Sequence, residues 1–255
     1  MTAPAMPSPS PARRHLLWDA SAVISYYLPE TAATQAAADR IKMIVDAGRH
    51  HRIDVLFFIP NIVVAEVFVA FDRNHYSTWD SQVSRKYGGK GKSLHGRRYL
   101  SARDRFRRDI TNGALFYQYE LNRYHVLTLD LISPVDKHRK FYRTKNVRSM
   151  GASDLLVGSM AMHLARIHGR ATTGLITTDR RMEAIFGRTC SKLNGNTARD
   201  LRLTDTSKRL GFGEWTGSLY PQVIDVARCK DEVLADWFGD WPLPTGKMRN
   251  RDPKA

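Results

Sequence analysis

Four carboxylates in this 255-residue chain stand at positions where an acid can do chemistry. Asp19 ends a short apolar run, His15-Leu16-Leu17-Trp18, and Ala20, Ser21 and an apolar helical segment follow it. Asp179 ends a second run of the same design, Gly174-Leu175-Ile176-Thr177-Thr178. Glu66 lies among apolar neighbours in residues 62–70, and Asp154 sits near the start of a helix of small and apolar residues. Acids brought together repel and raise one another's pKa unless a cation neutralises them. An all-oxygen donor set suits Mg²⁺ or Mn²⁺, and such ions are used to activate water against a phosphodiester. Each acid also has a plainer reading. Asp commonly closes strands and turns. Asp154, after an N-cap at Ser153, meets the positive end of a helix dipole. Glu66 fits equally a buried cleft or an exposed stripe with Ala65 and Asp72-Arg73.

The elements that must position these acids alternate along the chain. A strand is expected over residues 16–19, then a helix over 20–27, interrupted at Pro29 and resumed through about residue 47. Residues 53–59, IDVLFFI, form a continuous apolar run of the kind that parallel sheets bury on both faces. A helix opens at Pro60-Asn61 and carries Glu66. Helix is expected again over 101–122. The alternation in residues 124–129, YHVLTL, predicts a third strand with Asp130 at its end. Ser133-Pro134 opens a further helix, another runs from about 151 to 169, and a fourth strand covers 175–178 before a short helix. Past residue 189 the pattern weakens to a strand over 220–226 and a helix over 230–238. Strands alternating with helices imply right-handed βαβ units, a central parallel sheet and helices on both faces, a three-layer α/β/α sandwich. Asp19 and Asp179 then lie at carboxyl ends of strands, the edge where open α/β sheets bind ligands.

Bulk composition narrows the partner. A formal charge of +15 predicts polyanion binding, because Lys and Arg neutralise phosphates and release counterions. Over residues 84–123 there are 11 Lys and Arg against three acids, a net of 11 − 3 = +8, so more than half the excess sits in one segment. Its glycine-rich part, Ser84 to Lys92, reads as a mobile loop, and Lys86, Lys90, Lys92, Arg97 and Arg98 are candidate contacts to nucleic acid. Tyr87, Tyr99 and Phe106 interleave with the charge and suit stacking on unpaired bases, although aromatics at helical spacing usually face a core. Cys190 and Cys229 lack ligand or disulfide-framework spacing, and a reducing cytoplasm fits them. No apolar run approaches the ~18 residues that span a bilayer, so no membrane partner is expected. Residues 1–14, rich in Pro and Ser, read as a disordered leader without an apolar h-region.

With these residues in order, the chain resembles the PIN-domain family, the small VapC-type toxins being the nearest pattern. The likeness rests on Leu17-Trp18-Asp19-Ala20-Ser21, Val64-Ala65-Glu66-Val67, Ser153-Asp154-Leu155-Leu156-Val157 and Leu175-Ile176-Thr177-Thr178-Asp179-Arg180. It covers residues 15–189, with a basic helical insertion at 74–123, and leaves 190–255 as a C-terminal extension of unassigned role. It implies a metal-dependent, usually single-strand-specific endoribonuclease that is frequently a homodimer, with a small antitoxin as partner in toxin systems. Asp19, Glu66, Asp154 and Asp179 would hold the ion, supported by the hydroxyls of Ser21 and Thr177. The alternative within the family is a non-catalytic RNA-binding domain. A haloacid-dehalogenase-like phosphatase is disfavoured, because Ser21 stands where that chemistry needs a second Asp. No glycine-rich phosphate loop follows the first strand.

Overall fold

The computed structural model describes residues 13–76, 96–111, 113–143, 149–190, 192–239 and 241–243, with the backbone alone for 139–143. Five strands build one sheet: β1 (Arg14–Trp18), β2 (Val55–Pro60), β3 (Phe116–Tyr119), β4 (Thr173–Thr177) and β5 (Gln222–Asp225). Their order is β3-β2-β1-β4-β5, and every pairing is parallel. β4 is buried along its whole length, as a central parallel strand covered on both faces must be.

The helices follow from that order. From β1 the chain passes through α1 (Ala20–Tyr27) and α2 (Gln35–Arg49) to β2. It then passes through α3 (Asn61–Tyr76) and α4 (Gly96–Thr111) to β3. Next come α5 (Arg123–Leu127), α6 (Leu129–Arg143) and α7 (Ala152–His168), which return the chain across the sheet to β4. Right-handed crossovers that first step one way and then back place the two groups on opposite faces. Side chains agree with this. Phe57, edge-on to Trp18, packs against Gly48 of α2, while His15 and Phe58 meet His168 of α7. The fold is therefore the three-layer α/β sandwich that the alternation implies.

Three expectations fail, each for an identifiable reason. Residues 123–127 are helix, not the third strand. Asn122 caps that helix by accepting from the backbone N–H groups of Tyr124 and His125, and His125 Nδ1 accepts in return from Asn122 N. Asp130 accordingly lies in the first turn of α6, exposed, 3.4 Å from Arg209. The true third strand is Phe116–Tyr119, and the helix expected through residue 122 ends at Thr111. Gly113, at φ +58°, then takes a left-handed turn towards β3. Finally, Tyr99 and Phe106 are buried. Tyr99 stacks on His75 and gives its hydroxyl to Asp72, while Phe106 packs against Tyr27, Phe68 and Phe71. Neither ring is placed to stack on bases, and α4 is docked on α1 and α3. Residues 1–12, Tyr87 and the glycine-rich loop lie outside the described residues.

Beyond β4 the chain forms a turn of helix (Arg180–Met182), a π-helical segment (Glu183–Cys190), α8 (Gly195–Asp200) and α9 (Leu203–Arg209) before β5. After β5, α10 (Asp231–Phe238) sets Trp237 against Gly174, so residues from the C-terminal extension complete the sheet and part of its cover. The π-helical segment is seated by Phe186, whose ring lies over Gly158 of α7. A Cβ built on Gly158 would fall 1.9 Å from Phe186 Cζ. Gly158→Ala should therefore lower stability by about 1–3 kcal/mol, the usual effect of overpacking a rigid core site. Thermal unfolding would check it, and Phe186→Leu in the same chain should return part of the loss.

Candidate metal centre

At the carboxyl edge of the sheet, a cavity of about 390 Å³ is lined by Asp19, Ser21, Glu66, Arg73, Asp154 and Asp179, with Ile24, Val69 and small side chains between them. The four acids predicted from sequence thus reach one wall, from four separate stretches of chain. Asp19 and Asp179 follow β1 and β4, Glu66 projects from α3, and Asp154 lies in the first turn of α7.

The three Asp residues meet their plain readings. Asp19 is the N-cap of α1 and Asp179 caps the turn at Arg180–Met182, accepting from Arg181 N at 2.7 Å. Asp154 accepts from Gly151 N at 3.2 Å. Gly151, not Ser153, is the N-cap of α7. Ser153 lies instead beside Glu66, and its hydroxyl draws that carboxyl down against the effect of burial. Sheets deliver strand ends here and helices begin here, so oriented N–H groups offset part of the negative charge.

Asp19 is the most constrained of the four, with 4% of its surface exposed. Its Oδ2 accepts from the hydroxyls of Ser21 at 2.6 Å and Thr177 at 2.9 Å, and from Ser21 N at 3.3 Å. Those hydroxyls are themselves fixed, because Ser21 Oγ accepts from Thr178 N and Thr177 Oγ1 from Asp179 N. Oδ1 accepts no hydrogen bond from the described residues, and it is the oxygen with which Asp19 can meet a ligand. Burial pushes the Asp19 carboxyl up to about 6, against the pull of the two hydroxyls. Glu66 and Asp154 are also raised, first by burial. The Ser153 hydroxyl draws Glu66 back down, while Gly151 N–H and Arg181 do so for Asp154.

Arg181 carries no motif in the sequence, yet its guanidinium reaches two of these acids. Its Nε lies 3.3 and 3.1 Å from the two oxygens of Asp179, and NH2 lies 2.7 Å from Oδ2. The same NH2 is 3.7 Å from Asp154 Oδ2. Asp225, at the end of β5, is a second residue that sequence reasoning missed. Its Oδ2 holds Arg228, whose NH1 also donates to the carbonyl of Thr178, next to Asp179. The extension therefore braces the turn that carries the fourth acid. Asp136, buried in α6, accepts from Met150 N and fixes the entry to α7.

Hard, all-oxygen donors with one open oxygen on a buried Asp fit a divalent cation by type. Among the described residues, however, no three His, Cys, Asp or Glu side chains are drawn tightly enough together to hold an ion as they stand. The acids share a cavity without closing on a common point. Asp179 accounts for part of that spacing, because both of its oxygens face Arg181. Of the basic candidates, Arg98 pairs with Glu30 at 2.5 Å on the surface and Arg97 is exposed on α4. Lys86, Lys90 and Lys92 lie outside the described residues.

No family model and no curated protein matches the chain. Among solved structures it is similar to VapBC2 from Rickettsia felis bound to a DNA fragment from their promoter, at 12% identity and a TM-score of 0.40. That match covers 67% of this chain and 92% of the other. A likeness of this size does not reach the chemistry.

The raised carboxyl of Asp19 sets a pH dependence in cation-free protein. Its folded value of about 6 exceeds the ordinary 3.8, so the folded state holds the proton more tightly. Stability from this group is present below pH 3.8 and is lost as pH rises through 6. Asp19→Asn should thus stabilise the protein at pH 7 in EDTA by about 2–3 kcal/mol, with Asn Oδ1 still accepting from both hydroxyls. The gain should shrink towards pH 4. Thermal unfolding of both proteins across pH 4–7 checks it, and a gain that does not vary with pH would contradict the origin in burial.

Proposed function

We propose that the chain is a Mg²⁺- or Mn²⁺-dependent endoribonuclease acting on single-stranded RNA, with Asp19, Glu66, Asp154 and Asp179 holding the ion. The observation that carries this reading is the convergence of the four acids on one cavity, with Asp19 Oδ1 open to a ligand while Oδ2 is saturated by hydroxyls. When bound, a divalent ion supplies positive charge for the phosphodiester and makes a nearby water more acidic. Ser21 and Thr177 keep Asp19 ionised and aimed. Burial raises the Glu66 and Asp154 carboxyls, and a bound cation would favour their ionised forms. Attack by water, instead of by the 2′-hydroxyl, would leave a 5′-phosphate and a 3′-hydroxyl.

The RNA preference rests on the +15 charge and on the resemblance of the four motifs. The toxin role, a small antitoxin partner, a homodimer and a cytoplasmic location rest on the same resemblance and on the cysteine usage. Among the described residues no helix is long and apolar enough to cross a membrane. A small acidic reading frame directly upstream of the gene would support the toxin reading. The alternative, an RNA-binding domain without catalysis, draws on one observation: Asp179 is already paired by Arg181.

Purified protein with single-stranded RNA should cleave in Mg²⁺ or Mn²⁺ and not in EDTA. Asp19→Asn and Asp154→Asn should each lose more than the roughly 10–100-fold that changes to supporting groups cost, and Thr177→Val should fall within that range. Full activity in EDTA, or in either Asn variant, would sink the metal-nuclease reading. Binding of RNA with no cleavage in any divalent ion would favour the alternative.

The basic segment gives a separate test. Replacing Lys86, Lys90, Lys92, Arg97 and Arg98 by Ala should weaken RNA binding for every sequence alike. The slope of log affinity against log salt should fall by at most about 0.7 for each phosphate no longer neutralised. Arg98 has Glu30 as a competing partner at the surface. An unchanged slope would remove RNA binding from this segment, and a shift in oligomeric state by light scattering would assign it to protein association instead.

A further inference from the structure

We infer that Arg181 is an exchangeable internal counter-ion, which satisfies Asp179 and Asp154 in cation-free protein and is displaced when a divalent ion binds. The inference rests on the cation site proposed above and concerns how that site is charged. Four acids lining one cavity need positive charge; Arg73 also lines it, and Arg181 meets two of the acids with a planar fork. The backbone N–H and Nε approach Asp179 Oδ1 at 2.7 and 3.3 Å. Nε and NH2 approach Oδ2 at 3.1 and 2.7 Å. NH2 stands 3.7 Å from Asp154 Oδ2 as well, so one nitrogen lies between the two acids. Both oxygens of Asp179 are therefore used by the residue two places along the chain. Asp19 Oδ1, by contrast, accepts no hydrogen bond from the described residues, on a side chain that is almost wholly buried. The cavity holds one ready oxygen and one carboxylate withheld.

The withholding contact is built to give way. The Arg181 side chain is 44% exposed, and Asp179 and Asp154 are 22% and 24% exposed. Exposed ion pairs are worth only about 0–1 kcal/mol because solvent competes for both partners. A divalent ion carries twice the charge on a compact centre, and Asp179, once released from the guanidinium, would be free to turn towards it. Arg180 provides an internal comparison: it carries the same charge one residue earlier, is exposed, and makes no hydrogen bond or ion pair to the acids among the described residues.

Full-length wild type, Arg181→Gln, Arg181→Lys and Arg180→Gln would be titrated with Mn²⁺ by calorimetry or by the electron-paramagnetic signal of free Mn²⁺. Arg181→Gln should bind Mn²⁺ about two- to five-fold more tightly than Arg180→Gln, the scale of an exposed ion pair. Arg181→Lys, which keeps the charge and loses the fork, should fall between wild type and Arg181→Gln. In EDTA, Arg181→Gln should unfold at lower temperature than wild type, and adding Asp179→Asn should restore most of the difference. Equal Mn²⁺ affinity for Arg181→Gln and Arg180→Gln, or weaker binding by Arg181→Gln, overturns the exchange while leaving the cation site intact. No Mn²⁺ binding by any of the four proteins at millimolar concentration overturns the cation site itself, and the exchange with it.

Discussion

Like charge crowded at one edge is the constraint on which this structure turns. A parallel sheet sends its strand ends and the starts of its helices to the same side, and the chain places Asp19, Glu66, Asp154 and Asp179 there. Such a cluster cannot simply be buried. It is offset by backbone N–H groups at Ser21, Arg181 and Gly151, by the hydroxyls of Ser21 and Thr177, and by the guanidinium of Arg181. The cap role and the ligand role of these Asp residues are thus one arrangement. An N-cap needs an acceptor oxygen fixed near the helix start, and fixing one oxygen of a carboxylate also orients the other towards the cavity.

That edge depends on parts of the chain far from it. Thr177, at the end of a wholly buried strand, supplies a hydroxyl to Asp19 and accepts from Asp179 N, so it joins two acids that are distant in sequence. β5 adds Asp225, whose hold on Arg228 reaches the Thr178 carbonyl. Asp136 fixes Met150 at the approach to Asp154. The basic insertion contributes to the core rather than standing apart from it. Its Asp109 accepts from Tyr27 and, bidentately, from Arg49, and Phe106 closes the aromatic cluster over α1 and α3. Positive charge is therefore carried on a helix whose other face is anchored.

Fold class and the identity of the acids were legible because they depend on local signals. Continuous apolar runs at 16–18 and 55–59 mark strands covered on both faces, and an acid directly after such a run falls at the carboxyl edge whatever the rest of the chain does. The pattern of alternation at 124–129 misled because Asn122 and His125 cap a helix with a two-way exchange of hydrogen bonds that periodicity does not register. Tyr99 and Phe106 show the same limit, since their burial follows from where α4 docks and not from the charge around them.

By itself, the sequence determined the parallel α/β class, the four carboxylates, the two supporting hydroxyls and the strongly basic balance, since each is written in residue type and short-range spacing. Tertiary structure alone decided that β3 begins at Phe116, that residues after 190 supply the fifth strand, and that Glu66 faces the cavity rather than a solvated stripe. It also decided that Asp19 keeps one oxygen open while Asp179 is held by Arg181. Those outcomes depend on which distant groups reach a given oxygen, and hydrogen bonds and burial between parts of the chain far apart in order have no signature in local sequence.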